Sequence, residues 1–250
     1  MTHALFLADA TLTECSATVR AITPQGIVLD RTVFYPLGGG QAGDTGVLEV
    51  RSGSLNGTQI AVADTRKGKD AEGRFTGDVC HVPAPDAPDL SALHVGDTVV
   101  ARLDWARRHR LMRFHTTTHL LCHLVPELVN GCSITPDYAR LDFNMTDPLD
   151  KDVLSAGIAR LVAAAHPVVL GAITDAELDA NPSLVKSMSV QPPRGSGSVR
   201  TVRIGGDTPI DLQPCGGTHV ANTSEIGAVL VTRIEKKSAT TRRVVLGFAA

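Results

Sequence analysis

No run of apolar residues in this chain approaches the ~18–20 that a membrane-crossing helix needs, so no helical span is expected. The N-terminus, Met1-Thr2-His3-Ala4, lacks the basic start and long apolar stretch of a signal peptide, and a cytoplasmic location is expected. Cysteine is sparse. Five residues (Cys15, Cys80, Cys122, Cys132 and Cys215), scattered and odd in number, make a poor disulfide framework. Cys15, Cys80 and Cys122 read as small buried apolar residues, and Cys132, beside Gly131, as a candidate pocket residue. An excess of positive charge is also missing: the formal net charge is −2, so the total does not announce a nucleic-acid binder.

What is present suits an ordinary globular protein, with 250 residues, 43% of them hydrophobic, in one large domain or two small ones. The charge is unevenly placed. Arg107, Arg108, Arg110 and Arg113 crowd one stretch, and Arg233, Lys236, Lys237, Arg242 and Arg243 face a single Glu235 near the C-terminus. Either cluster reads as a phosphate-holding face or as solvated surface charge.

The first hundred residues carry short β-branched or alternating runs bounded by turn residues: Ala17–Ile22, Gly26–Leu29, Val47–Val50, Ile60–Asp64, Asp78–Val82 and Thr98–Leu103. Such spacing predicts a small β-barrel or sandwich over residues 1–103. The pattern changes at Asp104, a helix cap, after which Trp105–Val125 has a helical stripe. Asp147 as cap with Pro148 at the first position predicts a second helix, and Thr174 with Glu177 predicts a capping box on a third. Strands are expected near Tyr138–Phe143, Val168–Thr174, Val199–Ile204, Val229–Ile234 and Val244–Phe248. Residues 104–250 thus read as an α+β domain, one sheet with helices on one face. Gln191–Ser198 reads as a flexible, solvent-facing loop, with a place near substrate as a second reading.

Two short pieces carry chemistry. His115-Thr116-Thr117-Thr118-His119 and Cys215-Gly216-Gly217-Thr218-His219 each place two metal ligands four positions apart. On a helix, His115 and His119 share a face. Glycines between Cys215 and His219 let the chain curl round an ion. Three imidazoles and one thiol are a tetrahedral zinc set, so one zinc ion per chain is expected. His123, one turn beyond His119, reads as a partly buried packing residue, with a replacement ligand or a hydrogen-bond donor behind the ligands as the other readings. Zinc proteases put a glutamate directly after the first histidine as general base, and peptide deformylases also depend on it. Here that place holds Thr116, which argues against amide hydrolysis, whereas an activated ester asks less of a catalyst.

At these residues the chain resembles the AlaX-type alanyl-tRNA editing proteins and the related editing domain of alanyl-tRNA synthetase. The matching pieces are Phe34-Tyr35-Pro36-Leu37-Gly38-Gly39-Gly40-Gln41 with Asp44 and Gly46, then Asp104-Trp105-Ala106-Arg107-Arg108 and Met112–Leu121. Arg140-Leu141-Asp142-Phe143, Cys215–Val220 and Glu225-Ile226-Gly227 complete them in the family's order. The resemblance implies an N-terminal β-barrel and an α+β editing domain of the threonyl/alanyl-tRNA synthetase type, with zinc on His115, His119, Cys215 and His219. It implies hydrolysis of the ester in Ser-tRNA(Ala), and of Gly-tRNA(Ala), without ATP and without aminoacylation, by a monomer or weak dimer. Mischarged tRNA(Ala) would be the partner, no membrane would be involved, and Arg107, Arg108, Arg110 and Arg113 would hold the acceptor stem.

The substrate pocket is assigned to Thr116, Thr118, Gly38, Gly39, Gly40, Gln41, Asp44 and Thr135. For Thr116 and Thr118 a second reading, outward-facing helix packing, stays open; for Gly38–Gly40 the second reading is a tight turn between strands. In one departure from the family, Val129 stands where some synthetase editing domains carry a glutamine. Thr135, Ser133 and Gln213 are its candidate replacements. The alternative function is a zinc-stabilised module that binds tRNA without hydrolysing it; a zinc hydrolase of small esters or amides that ignores RNA is a third.

Overall fold

The computed structural model describes residues 1–192 and 197–249, so part of the expected 191–198 loop lies outside the described residues. The chain separates into two units, Met1–Gly38 with Ala42–His109, and Gly39–Gln41 with Arg110–Ala250. The glycine run is therefore divided, Gly38 falling in the first unit and Gly39–Gln41 in the second.

The first unit holds β1 (His3–Ala4), β2 (Glu14–Thr23), β3 (Gly26–Leu29), β4 (Arg31–Thr32), β5 (Gly46–Val50), β6 (Gln59–Lys69), β7 (Phe75–Pro83) and β8 (Thr98–Leu103). Six of these pair in the order β2-β3-β7-β6-β5-β8, and β8 returns to β2, so the ladder closes on itself. Alternation explains the inside: Val19, Leu29, Leu48, Val50, Ile60, Val62, Val99 and Ala101 point into one core with Val33 and Phe34. His81 belongs to this interior. Its Nδ1–H donates to the Ile27 carbonyl at 3.0 Å, which leaves Nε2 to accept from the Thr32 hydroxyl at 2.8 Å. Burial pushes its pKa down to about 4.

Asp44 and Arg108, both fully buried in this unit, hold its loops together. The Asp44 carboxylate accepts from the Tyr35 backbone N–H at 2.6 Å and from Arg108 Nε at 3.0 and 3.1 Å. The remaining guanidinium nitrogens reach the Ala10 and Val33 carbonyls at 2.9 and 2.7 Å.

A long helix, α1 (Trp105–Leu124), starts at Asp104, whose carboxylate accepts from the Arg107 N–H. From Leu111 to Cys122 only Arg113 escapes full burial, so α1 is covered on nearly every side instead of along one stripe. The second unit continues with β9 (Val129–Ile134), β10 (Ala139–Asn144), α2 (Lys151–Ala163), β11 (Val168–Ile173) and α3 (Asp175–Ala180). It ends with β12 (Val199–Ile204), β13 (Asp211–Pro214), β14 (Val229–Ser238) and β15 (Thr241–Phe248). These strands make two sheets and not the single one expected: β14-β15-β10-β9 and β11-β12-β13. The helix α2 is capped by Asp150 and not by Asp147, because the Asp150 carboxylate is the one that reaches the Asp152 and Val153 amides. The Thr174–Glu177 capping box on α3 is present as expected. Cys80 and Cys122 are buried, but Cys15 is only half-buried, and His123 is exposed.

Candidate metal centre

The helix α1 brings His115 and His119 one turn apart, and the loop after β13 brings Cys215 and His219 to meet them. The ligand atoms of all four lie within 4.8 Å of one another, so the group could hold a metal ion. Cys215 Sγ is 3.5 Å from His115 Nε2 and 3.3 Å from His219 Nε2. A tetrahedral ion with bonds of about 2.3 Å to sulfur and about 2.0–2.1 Å to nitrogen sets sulfur–nitrogen separations of roughly 3.5 Å. The donor set and its spacing therefore fit zinc.

Every imidazole is held by its far nitrogen. His115 Nδ1 meets Gln41 Oε1 at 2.7 Å; that oxygen also accepts from the Thr218 N–H at 3.1 Å, so Nδ1 must be the donor. Gln41 Nε2 donates to Thr218 Oγ1 at 2.9 Å, and the buried amide thus locks helix to loop. His119 Nδ1 donates to Asp211 Oδ2 at 2.7 Å, and Asp211 Oδ1 accepts from Gln213 Nε2 at 2.8 Å. The Thr116 hydroxyl donates to the Met112 carbonyl, so it accepts from His219 Nδ1 at 3.2 Å. Each tautomer is set from outside, which leaves all three Nε2 atoms facing the cluster.

Glycine is required at one loop position. A Cβ on Gly217 would stand 2.1 Å from His115 Cε1, whereas one on Gly216 would meet nothing. Arg200 on β12 pins the same loop by donating to the Cys215 and Gly217 carbonyls. Cys215 is half-buried and Gly216 exposed while the three histidines are buried, so the cluster meets solvent on the Cys215–Gly216 side.

The charges suit a cation. Burial acts to raise the Cys215 thiol, but the His115 and His219 imidazoles overcome it and hold the thiol well below its ordinary range. Burial also acts to lower His119, but the Asp211 hydrogen bond and the Cys215 sulfur lift it to about 10. His219 is pushed down to about 3 by burial and by His115 beside it. A thiolate is the form of cysteine that binds metal.

Comparison with known proteins bears on this arrangement. The family model of the threonyl and alanyl tRNA synthetase second additional domain matches residues 199–245, and that of class II (A) tRNA synthetases matches residues 2–107. The alanyl-tRNA editing protein AlaX-M of Methanosarcina barkeri is 34% identical over 98% of this chain and 98% of its own length. That of Methanosarcina mazei is 33% identical over 98% and 95%. This chain belongs to the AlaX-M family of alanyl-tRNA editing proteins. It also aligns over 94% of its length with 25% of the alanine–tRNA ligase of Sulfurisphaera tokodaii, at 31% identity.

Not every residue singled out in the AlaX-like motifs lies at the cluster. Asp44 was expected in the pocket and Arg108 on the acceptor stem; both are fully buried against each other, and neither presents a free polar atom to a ligand. The Thr135 hydroxyl is engaged in its own turn, donating to the Tyr138 carbonyl and accepting from the Asp137 and Tyr138 amides. Thr116 and Thr118 do not face outward: both are buried, and the Thr118 hydroxyl donates to the His115 carbonyl at 2.7 Å. Gly39 and Gly40 take positive φ, 58° and 86°, and a Cβ on Gly40 would press on Cys132 Sγ at 2.8 Å. Gly38 packs instead on Lys67.

Of the other arginines, Arg107 donates to the Gly43 carbonyl. Arg110 and Arg113 lie over the Phe248 ring at 4.4 and 4.1 Å and donate to the Pro136 and Ile226 carbonyls. Burial, with Arg110 alongside, holds the Arg113 pKa below its usual value. Val129, at the place of the synthetase glutamine, is buried opposite Phe143. Gln213, a candidate replacement, is engaged on Asp211. Asp211, Arg200 and the clamping role of Gln41 escaped the sequence reading. A carboxylate four residues before Cys215 was the one available signal.

Proposed function

We propose that this protein is a trans-editing deacylase that hydrolyses the ester joining serine, and secondarily glycine, to tRNA(Ala). The observation that carries the reading is the convergence of His115, His119, Cys215 and His219, each imidazole held by its Nδ1, in a chain that aligns end to end with AlaX-M proteins. Physical need supports it. A site shaped for alanine cannot strongly reject a substrate that merely adds a hydroxyl, with discrimination of order 10². A second site whose polar groups require that hydroxyl leaves them unpaired when alanine enters.

His115, His119, Cys215 and His219 would hold one zinc ion, which when bound supplies an electrophilic centre for the aminoacyl group or for water. Gln41, Asp211 and Thr116 keep each imidazole in one orientation and one tautomer. Gln41 also ties the Gly39–Gly40 turn to the Cys215–His219 loop, and Arg200 fixes that loop's carbonyls. The substrate approaches over Gly216, where no side chain intervenes, and Thr118, the residue before His119 on α1, keeps lone pairs to accept from a serine hydroxyl. Arg107, Arg110 and Arg113 keep guanidinium nitrogens for phosphates. The ester is an activated acyl group, and the absence of a glutamate next to His115 is no obstacle to its hydrolysis.

We read the six-strand ring as the small barrel of a medium-length editing protein, acting in the cytoplasm as a monomer or weak dimer and needing no ATP. Among the described residues no helix is long and apolar enough to cross a membrane. The test is release of serine from Ser-tRNA(Ala) by zinc-loaded protein, beside Ala-tRNA(Ala) as control. Serine release with alanine retained is the expected result. If Ser-tRNA(Ala) survives at the uncatalysed rate while zinc removal unfolds the protein, the chain is a tRNA-binding module instead.

A further inference from the structure

In the first unit, on the ladder between β6 and β7, Phe75 stands 66% exposed. No apolar neighbour covers its ring; two ammonium groups do, Lys67 Nζ at 5.4 Å and Lys69 Nζ at 5.3 Å from the centroid. Both lysines reach the same ring although the β6–β7 register shifts between them, and Phe75 is the cross-strand partner of Lys69. The arginines of the same hairpin have carboxylates, Arg66 on Asp64 at 2.7 Å and Arg74 on Asp70 at 2.8 Å. Among the described residues neither lysine makes such a pair, and Lys67 lies against Gly38. In a chain of net charge −2, two cations over an exposed aromatic ring form a local positive surface.

We propose that Phe75, Lys67 and Lys69 form an RNA contact surface, the ring stacking an unpaired base while the two ammonium groups take the flanking phosphates. Aromatic stacking tolerates any base, and lysines bring the salt-dependent backbone term. A protein partner suits the patch poorly, because lysine is depleted from protein–protein interfaces. The choice of tRNA as the RNA rests on the deacylase reading; the stacking surface itself does not.

The experiment is equilibrium binding of tRNA(Ala) to the full chain over a salt series, with Phe75→Ala, Phe75→Leu, Phe75→Trp and the double variant Lys67→Ala/Lys69→Ala. Expected for the double variant is a log–log salt slope shallower by about 1.4–1.8, two phosphate contacts at about 0.7–0.9 each. Phe75→Ala is expected to weaken binding roughly 5- to 150-fold with the slope unchanged. Phe75→Leu should lose nearly as much, and Phe75→Trp should keep parental affinity. All three side chains are exposed, so melting temperature and metal content should stay at the parental values. Parental affinity and slope in Phe75→Ala and the double variant would overturn the proposal, as would full affinity in Phe75→Leu. Loss of tRNA binding in Phe75→Ala, in a protein that fails to deacylate Ser-tRNA(Ala), leaves this surface standing and removes the deacylase reading. Deacylation with unaltered tRNA binding in every variant does the reverse.

Discussion

Replacing Arg108 with methionine should destabilise the first unit severely and leave RNA binding alone. Arg108 and Asp44 are both wholly buried, and burial pushes the Asp44 carboxyl up even against the pull of the guanidinium beside it. Desolvation therefore takes back what the attraction gives, and the intact pair adds little net stability. Breaking it is another matter. Arg108→Met leaves the Asp44 carboxylate with the Tyr35 N–H alone and strips the Ala10 and Val33 carbonyls of their donor. Orphaning one buried charge costs about 3–5 kcal/mol. For a chain of this size that lowers the melting temperature by roughly 10 °C, at 2–4 °C per kcal/mol. Asp44→Asn, which orphans the cation, should lose a similar amount. The assay is thermal and urea unfolding of both singles and the double. Coupling predicts a double variant no less stable than either single, where independent effects would sum to roughly 6–10 kcal/mol. Under native conditions the salt slope of tRNA binding should match the parent, since this guanidinium meets no solvent. Additive losses, or a shallower slope in Arg108→Met, would refute the reasoning.

Other outcomes follow from single geometries. His81 is held neutral with its pKa at about 4 against an ordinary value of 6.5, so the unfolded chain binds a proton first as pH falls. Stability is full above pH ~6.5 and declines by roughly 3 kcal/mol as pH drops towards 4, a loss that acid titration of His81→Gln should lack. Asp211→Ala and Gln41→Ala should each weaken zinc binding about 10- to 100-fold in chelator competition, because the imidazoles lose their orienting acceptors. Parental affinity in both would show that His115 and His119 need no such support. Gly217→Ala should purify without its zinc, its Cβ colliding with His115, whereas Gly216→Ala should keep a full equivalent by elemental analysis.

Much of this was legible in the sequence, and the reasons differ from element to element. The strands Gly26–Leu29, Thr98–Leu103 and Val199–Ile204 carry β-branched runs with clear turn residues at their ends, and the structure returns the same bounds. The four candidate ligands were readable because two pairs at a spacing of four are rare enough to be noticed together. Asp211 was not, because a carboxylate in a short strand looks the same whether it holds an imidazole or faces water. Arg108 was misread for a related reason. In a run of four arginines nothing local distinguishes the one whose partner, Asp44, lies 64 residues earlier. The strand β13 was missed because Asp211-Leu212-Gln213-Pro214 has neither alternation nor length, and it forms by pairing with β12. The cap of α2 slipped by three residues because Asp147-Pro148 and Asp150 both satisfy the local rule, and only the amide geometry chooses between them.

The most direct test of the four-ligand centre is X-ray absorption at the zinc edge of the purified protein, with metal content measured on the same sample. Expected is one zinc per chain with one sulfur at about 2.3 Å and three nitrogens at about 2.0–2.1 Å, the sulfur vanishing in Cys215→Ala. A shell of light atoms alone, or the same sulfur signal surviving in Cys215→Ala, would contradict it.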